Sequence, residues 1–154
     1  MRGYKRRFWN KSADHRGTAE FCGLVVCLVD AGPLDEVHGV LYEFDSNLRH
    51  EVIALLDIRE KYGYIRRIAS GLHPISGDHI AECFAYCACT SDESIDVFLH
   101  PSNGVDNTLE EIVVMAQIIN KAIGPSGSNM EYLQKLKQSL TDLGIVDDHV
   151  DSLL

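Results

Sequence analysis

The spacing of apolar residues changes along the chain, from β-branched runs in the first half to a helical period in the second. Residues 21–29 are rich in β-branched side chains and stop at the turn-prone residues 30–33. Residues 36–44 form the next strand candidate, and together the two segments predict a β-hairpin. Two more strands and a polar loop are predicted further on, over residues 64–70, 79–90 and 91–107.

A helical spacing of apolar residues begins after Ser46, a candidate N-cap, and predicts a helix that ends near residues 59–61, before Gly63. Four apolar residues set this spacing: Leu48, Val52, Leu55 and Leu56. The sequence therefore predicts one helix between the second and third strand candidates.

Two helices are predicted in the last third of the chain. The first begins at a capping box formed by Thr108 and Glu111, and Gly124 is its predicted C-cap. The second begins near Asn129 and ends at Gly144, and a last turn covers residues 147–153. The inward positions of the two helices are Ile112, Met115, Ile119 and Ala122, then Leu133, Leu136, Leu140 and Leu143. Segregated strands and helices favour an α+β fold, with helices covering a curved sheet.

A length of 154 residues suits one domain with a sizeable core, so we expect a single domain over residues 1–154. No run of about twenty apolar residues is present, so we expect no contact with a membrane interior. The basic start lacks the apolar run of a secretory signal. The five cysteines form no C-x-x-C pair, which favours reduced thiols in the cytoplasm and argues against a metal site.

The net charge of −9 is unevenly distributed. Residues 1–16 carry a local charge of +5, so the remainder carries −14. An acidic body repels phosphate backbones, and nucleic-acid binding would depend on the short segment from Lys5 to Trp9. The alternative is a surface strand that packs Phe8 or Trp9 inward, and we predict no nucleic-acid partner.

Three polar clusters carry candidate chemistry. Residues 124–128 place two glycines and two serines before a helix, where free N–H groups can bind an anion, although a tight helix–helix connection explains them equally well. Residues 12–17 include Ser12 and Arg16, and a turn stabilised by Asp14 would leave Arg16 free to bind a carboxylate. Glu60 ends the predicted helix beside two tyrosines, either at the mouth of a sheet or as a surface residue next to Arg59.

Taken together, these clusters resemble the ChaC family, the γ-glutamylcyclotransferases that act on glutathione. The order and approximate spacing of the matching motifs hold from about Gly3 to the end of the chain. The motifs are Arg6-Arg7-Phe8-Trp9, then Ser12 with Asp14-His15-Arg16-Gly17, then Arg59-Glu60-Lys61 with Gly63-Tyr64, and finally Gly124-Pro125-Ser126-Gly127 with Asn129, Glu131, Tyr132 and Leu133.

The resemblance implies a small mixed β-barrel flanked by helices, and a reaction that needs neither metal nor cofactor. The α-amine of the γ-glutamyl group attacks its own side-chain carbonyl, which converts glutathione to 5-oxoproline and Cys-Gly. By motif position Glu60 is the catalytic acid and base, while Ser12, Arg16 and Tyr132 bind the substrate. The resemblance says nothing of oligomeric state.

The chain departs from the family pattern in two places. Family members have a first strand and a Tyr-Gly-Ser-Leu loop ahead of the Arg-Arg-Phe-Trp motif, so we expect a domain that lacks its first strand. In addition, Cys22-Gly23-Leu24-Val25 stands where the family usually has Pro-Gly-Arg-Val. Two hypotheses follow: an active enzyme, or a catalytically inactive shortened relative that acts as a binding or structural protein.

Overall fold

The computed structural model describes residues 1–60, 63–73, 75–88, 97–99, 101–102 and 104–154. Lys61 of the third motif and much of the predicted loop 91–107 lie outside the described residues. The strands and helices are β1 (Tyr4–Ser12), β2 (Gly23–Asp30), α1 (Arg49–Arg59), β3 (Tyr64–Leu72), β4 (His79–Ala88), α2 (Leu109–Lys121), β5 (Ile123–Gly124), β6 (Gly127–Ser128), α3 (Asn129–Asp142) and α4 (Asp148–Ser152).

The predicted α+β class is confirmed, and the predicted closed barrel is not observed in the described residues. The strands form three separate antiparallel pairs, β1 with β2, β3 with β4 and β5 with β6. Side chains join the first two pairs, since Tyr4 and Leu28 pack against the buried residues Ala85 and Cys87. A barrel needs a continuous ladder of backbone hydrogen bonds, and packing of this kind does not provide one.

Strand β2 pairs with β1 and not with residues 36–44, so the predicted hairpin is wrong. Residues 36–44 instead cross the start of β1. The Met1 amino group donates to the Val37 carbonyl oxygen at 2.9 Å, and the Arg6 guanidinium donates to the His38 carbonyl oxygen at 2.6 Å. Residues 37 and 38 thus accept hydrogen bonds through their carbonyl oxygens, but residues 36–44 form no strand of the sheet.

A register shift between Arg7 and Asn10 interrupts the β1–β2 ladder. A bulge of this kind breaks the strict alternation of side chains. Phe8 and Trp9 are therefore both buried, with exposed fractions of 0% and 3%, where the sequence predicted one or the other. Arg6 and Arg7 are also buried, and they bind the carboxylates of Asp147 and Asp106 respectively.

Helix α1 ends where the sequence predicted, but Asp45 and not Ser46 caps the short 3₁₀ turn ahead of it. None of its residues is buried. Polar contacts hold it on the β3–β4 hairpin: the Asp57 carboxylate accepts hydrogen bonds from Arg66 at 2.5 Å and from the Tyr86 hydroxyl at 2.6 Å. The helix that carries Glu60 at its end is thereby fixed to the hairpin.

The main core lies between β1, β2 and the C-terminal helices. The capping box of Thr108 and Glu111 is confirmed. The buried side chains of the helices are Met115, Ile119, Leu133, Leu140 and Val150. They pack with Phe8, Trp9, Leu24 and Val29 of the first sheet. Complete burial of side chains of this size stabilises a fold by roughly 1.5–3 kcal/mol each.

Two details of the C-terminal prediction are wrong. Leu143 is half exposed, because it caps α3 after the last inward position. Gly124 lies in β5 and is not a helix cap. Gly144, with φ of +70°, does end the second helix as predicted. Among the described helices, none is long and apolar enough to cross a bilayer.

Candidate active site

Glu60 caps the C-terminal end of α1, where its backbone N–H donates to the Leu56 carbonyl oxygen at 2.7 Å. Its side chain is 26% exposed, and its carboxylate lies 3.3 Å from Nε of the exposed Arg59. The carboxylate is thus accessible to a ligand while its backbone is held by the helix.

The position just ahead of β3 requires a glycine. Gly63 has φ of +94°, and a Cβ there would lie 2.7 Å from the ring of the buried Phe98. The Tyr64 ring meets the same Phe98 ring edge-on, with centroids 6.4 Å apart. The strand that follows Glu60 is therefore packed against Phe98 from its first residues.

Two tyrosine hydroxyls meet at the backbone of Val26. The Tyr64 hydroxyl donates to the Val26 carbonyl oxygen at 2.6 Å, and the Val26 N–H donates to the Tyr132 hydroxyl at 3.4 Å. Val26 lies opposite the bulge in β1, where it has no ladder partner. The two hydroxyls thus bring β2, β3 and α3 together.

Both phenols stay neutral. Burial raises the pKa of Tyr64, and neighbouring groups, Glu60 among them, raise it further. Burial likewise raises the pKa of Tyr132. Neutral phenols keep their hydroxyl protons for hydrogen bonding.

Arg16 lies over the ring of Tyr132, with its guanidinium carbon 5.5 Å from the ring centroid. Its backbone N–H donates to Oγ of the buried Ser12 at 3.0 Å. Its Nη1 donates to Oε2 of Glu131 at 3.1 Å and to the Ser128 carbonyl oxygen at 3.2 Å. Hydrogen bonds from Lys135 and then from Arg16 lower the pKa of Glu131, so the partner of Arg16 is a carboxylate.

The glycine-rich loop before α3 is a tight connection, one of the two interpretations left open by its sequence. The Ser126 N–H donates to the His15 carbonyl oxygen, and the Asn129 N–H donates to the Ala122 carbonyl oxygen, each at 2.9 Å. A Cβ on Gly124 would lie 2.2 Å from the His15 carbonyl oxygen. The loop therefore uses these N–H groups within the protein and interlocks with residues 12–17.

Ser128 caps α3, which begins at Asn129 as predicted. Asn129 is fully buried, and its amide pairs with both backbone groups of Leu24, accepting from the N–H at 2.6 Å and donating to the carbonyl oxygen at 2.7 Å. This amide extends the edge of β2 as a further strand would.

The structure brings three of the four predicted site residues into direct contact: Ser12, Arg16 and Tyr132. Glu60 makes no ion pair with Arg16 in the described residues; it ends α1 four residues before Tyr64, and the Tyr64 hydroxyl shares the Val26 backbone with Tyr132. Tyr64 and Glu131 stand inside the recognised motifs, so motif position could have pointed to them. Val26 takes part in the cluster only through its backbone N–H and carbonyl groups. A pattern of side chains in the sequence cannot identify a residue that acts in this way.

A separate cavity of about 830 Å³ shares no lining residue with this cluster. Its walls include Arg6, Arg7, Asp106 and Asp147, and these charges are paired with one another. The cavity is large, yet these ionic groups already have partners within the protein. The cluster around Glu60 is therefore the better candidate for chemistry.

An accessible carboxylate at a helix end, two neutral tyrosines on one backbone group and an arginine paired with a carboxylate are side chains that a small-molecule enzyme of the α+β class can use. The family model described as ChaC-like protein matches residues 1–154. The chain is 32% identical over 156 residues to γ-glutamylcyclotransferase 2-3 of Arabidopsis thaliana, covering 99% of this chain and 74% of the relative. The chain belongs to the ChaC-like family.

Two further relatives carry names that specify glutathione. The glutathione-specific γ-glutamylcyclotransferase of Schizosaccharomyces pombe is 30% identical over 158 residues, covering 93% of this chain and 72% of the relative. The crystal structure of a yeast γ-glutamyl cyclotransferase specific to glutathione superimposes with a TM-score of 0.74 at 27% identity. That match covers 99% of this chain and 84% of the yeast chain.

Proposed function

We propose that this protein is a γ-glutamylcyclotransferase that cleaves glutathione to 5-oxoproline and Cys-Gly. Membership of the ChaC-like family and relatives named as glutathione-specific support the activity. The observation that carries the site is the placement of Glu60, accessible at the end of α1 and four residues before Tyr64, whose hydroxyl is fixed on the Val26 backbone. We propose that residues 1–154 act as one domain and that the reaction takes place in the cytoplasm.

The reaction forms one bond and breaks one bond. The α-amine nitrogen of the glutamyl group attacks the γ-carbonyl carbon, and the bond from that carbon to the cysteine nitrogen breaks. Water is not consumed, because the substrate's own α-amine is the nucleophile. The attacking amine loses its protons, and the departing amine of Cys-Gly gains the same number. Ring closure is intramolecular, so holding the glutamyl chain in a folded conformation supplies much of the rate acceleration.

Glu60 transfers a proton between these two amines. The α-ammonium group titrates near ~8 when free and must lose a proton before it can attack. A carboxylate within hydrogen-bond reach accepts this proton and then delivers it to the leaving nitrogen, which accelerates such reactions by roughly 10²–10⁴-fold. The accessible position of Glu60 suits both transfers.

In this proposal the other residues of the cluster bind the substrate or hold the residues that bind it. Tyr64 and Tyr132, neutral and anchored on Val26, position the start of β3 and α3 against β2. Arg16 supplies a positive charge for a substrate carboxylate, and Ser12 holds the backbone of Arg16. Arg6 and Arg7 belong to internal ion pairs, so in this proposal their charges stabilise the fold.

The test is release of 5-oxoproline from glutathione by the purified protein. The Glu60→Gln variant should lose nearly all activity while its circular dichroism spectrum is unchanged. Glu51→Gln is the matched control, because Glu51 lies in the first turn of the same helix and is exposed. A folded wild type that forms no more product than Glu60→Gln would contradict the proposal.

A further inference from the structure

We infer that Asp57, Arg66 and Tyr86 are positioning residues for Glu60, because they fix the end of α1 that carries this carboxylate. The inference rests on the proposed function, in which Glu60 transfers a proton. All three residues lie outside the motifs that identify the family, and the inference assigns them no contact with the substrate.

Helix α1 has little apolar packing of its own. None of its residues is buried, and none belongs to either cluster of buried side chains. Val52, Ile53 and Leu56 are half-buried, while Leu55 and Ile58 are each 60% exposed. Because packing of an apolar face supplies most of the stability of a helix in a protein, α1 depends on polar contacts for its position.

The Asp57 carboxylate is held at both of its oxygens by two neighbouring strands. Oδ2 accepts from Nη1 of Arg66 at 2.5 Å, and Oδ1 accepts from the Tyr86 hydroxyl at 2.6 Å. Arg66 and Tyr86 are direct partners in the β3–β4 ladder, so the ladder fixes the spacing of the two donors. Hydrogen bonds from Tyr86 above all, and then from Arg66, lower the pKa of Asp57, which keeps this clamp of three residues charged at neutral pH.

A second contact holds the opposite end of α1. The guanidinium carbon of Arg49 lies 5.4 Å from the centroid of the Phe84 ring. Arg49 is the first residue of α1, roughly 12 Å along the helix axis from Asp57. If the clamp were released, this contact would hold the start of the helix, and the C-terminal end would be free to move away from the hairpin.

The position of Asp57 determines the position of Glu60. The two residues are three apart in sequence, so their side chains start from neighbouring positions on one face of the helix. The Glu60 N–H donates to the Leu56 carbonyl oxygen at 2.7 Å, which ties the backbone of Glu60 to the turn that contains Asp57. A movement of Asp57 therefore moves Glu60. Since a misplacement of about 1 Å can lower a catalysed rate by about 100-fold, the clamp affects proton transfer directly.

The inference is tested by the kinetics of 5-oxoproline release and by hydrogen exchange of the α1 amides. Asp57→Ala removes the clamp, and α1 still forms because alanine favours a helix. Tyr86→Phe removes one of the two hydrogen bonds. Asp151→Asn is the matched control: the Asp151 side chain is 37% exposed against 46% for Asp57, and its carboxylate pairs with Lys137 between α4 and α3.

We expect kcat of Asp57→Ala to fall about 10- to 100-fold with KM little changed, because Glu60 is misplaced and no substrate-binding residue is altered. Tyr86→Phe should lose less. The double variant should lose no more than Asp57→Ala, since both changes remove the same contact. Exchange of the α1 amides should be faster in Asp57→Ala, while Asp151→Asn should match the wild type in both measurements.

A kcat of Asp57→Ala close to that of the wild type would overturn the inference, as would unchanged exchange in α1 or an equal fall of kcat in Asp151→Asn. If circular dichroism shows that Asp57→Ala does not fold, Tyr86→Phe decides by the same criteria. A wild type that releases no 5-oxoproline would overturn the proposed function, whereas faster exchange of α1 in Asp57→Ala would still support the clamp.

Discussion

The hydroxyl of Tyr64 donates a 2.6 Å hydrogen bond to the carbonyl oxygen of Val26 and so ties the strand that follows Glu60 to the first sheet. The contact joins two sheets that have no ladder of hydrogen bonds between them. It therefore fixes the start of β3, four residues after Glu60, relative to the first sheet.

Replacing Tyr64 with phenylalanine removes this hydrogen bond and leaves the Val26 carbonyl without its partner. We expect the free energy of unfolding to fall by roughly 1–3 kcal/mol. We also expect kcat for 5-oxoproline release to fall while KM changes little, because Glu60 is less firmly placed. Urea unfolding and steady-state kinetics measure the two effects. Tyr42→Phe is the control, since Tyr42 is 83% exposed, and an equal loss of kcat there would contradict the role of Tyr64.

The Gly63→Ala substitution separates backbone strain from steric overlap. An alanine at positive φ costs about 1–2 kcal/mol on conformational grounds alone, and a Cβ at this site would also lie 2.7 Å from the Phe98 ring. Gly144 has a similar φ of +70°, and a Cβ at that position would meet nothing within 4 Å. We expect Gly63→Ala to lower the free energy of unfolding clearly more than Gly144→Ala does, as measured by urea titration. Equal decreases in the free energy of unfolding would mean that the Phe98 ring moves aside without a further loss of stability.

Glu131 holds Arg16 by one carboxylate oxygen and the exposed Lys135 by the other, at 3.1 Å and 2.6 Å. Because exposed ion pairs contribute little but hold a side chain in place, we expect Glu131→Gln to raise KM for glutathione by about three- to fivefold with kcat little changed. Lys135→Ala removes only the outer partner and should leave KM unaltered. A fall in kcat at constant KM in Glu131→Gln would assign the residue to the chemical step instead.

His149 makes the stability of the protein depend on pH. Its Nε2 accepts a hydrogen bond from the Phe8 N–H at 3.0 Å, which requires the neutral ring. Burial above all, and then the charge of Arg7, lowers the pKa of His149 to about 4. The other charges that act on the ring are those of Asp147, Arg6 and Asp106. The unfolded chain therefore binds a proton, near its ordinary pKa of about 6.5, that the folded protein does not bind.

Stability consequently falls as the pH drops from about 6.5 towards 4, by at most about 1.4 kcal/mol per pH unit for one proton. Above this window the contribution of His149 is fully present. Urea unfolding between pH 6.5 and 5 measures the slope before most carboxylates titrate. His149→Gln keeps a hydrogen-bond acceptor and removes the titration, so its slope in this range should be smaller. An unchanged slope would show that other groups cause the dependence.

Local signals in the sequence predicted those elements that neighbouring residues determine. The capping box of Thr108 and Glu111 and the positive φ of Gly144 depend on contacts within a few residues, and both were predicted correctly. The strand that pairs with β2 was predicted wrongly, because residues 36–44 and β1 are both plausible strands. The choice depends on which segment buries its aromatic residues, and the bulge that turns Phe8 and Trp9 inward together is invisible to a pattern of alternation.

The sequence by itself determined the class of the protein and, through its four ordered motifs, the family and the candidates Glu60, Ser12, Arg16 and Tyr132. Only the tertiary structure decided how they are arranged. The hydrogen bond of Tyr64 to Val26 spans 38 residues of sequence, and the bond of Arg16 to Glu131 spans 115. Contacts this distant form only when the whole chain packs, because their geometry is set by the sheets and helices that carry them and not by the residues beside them.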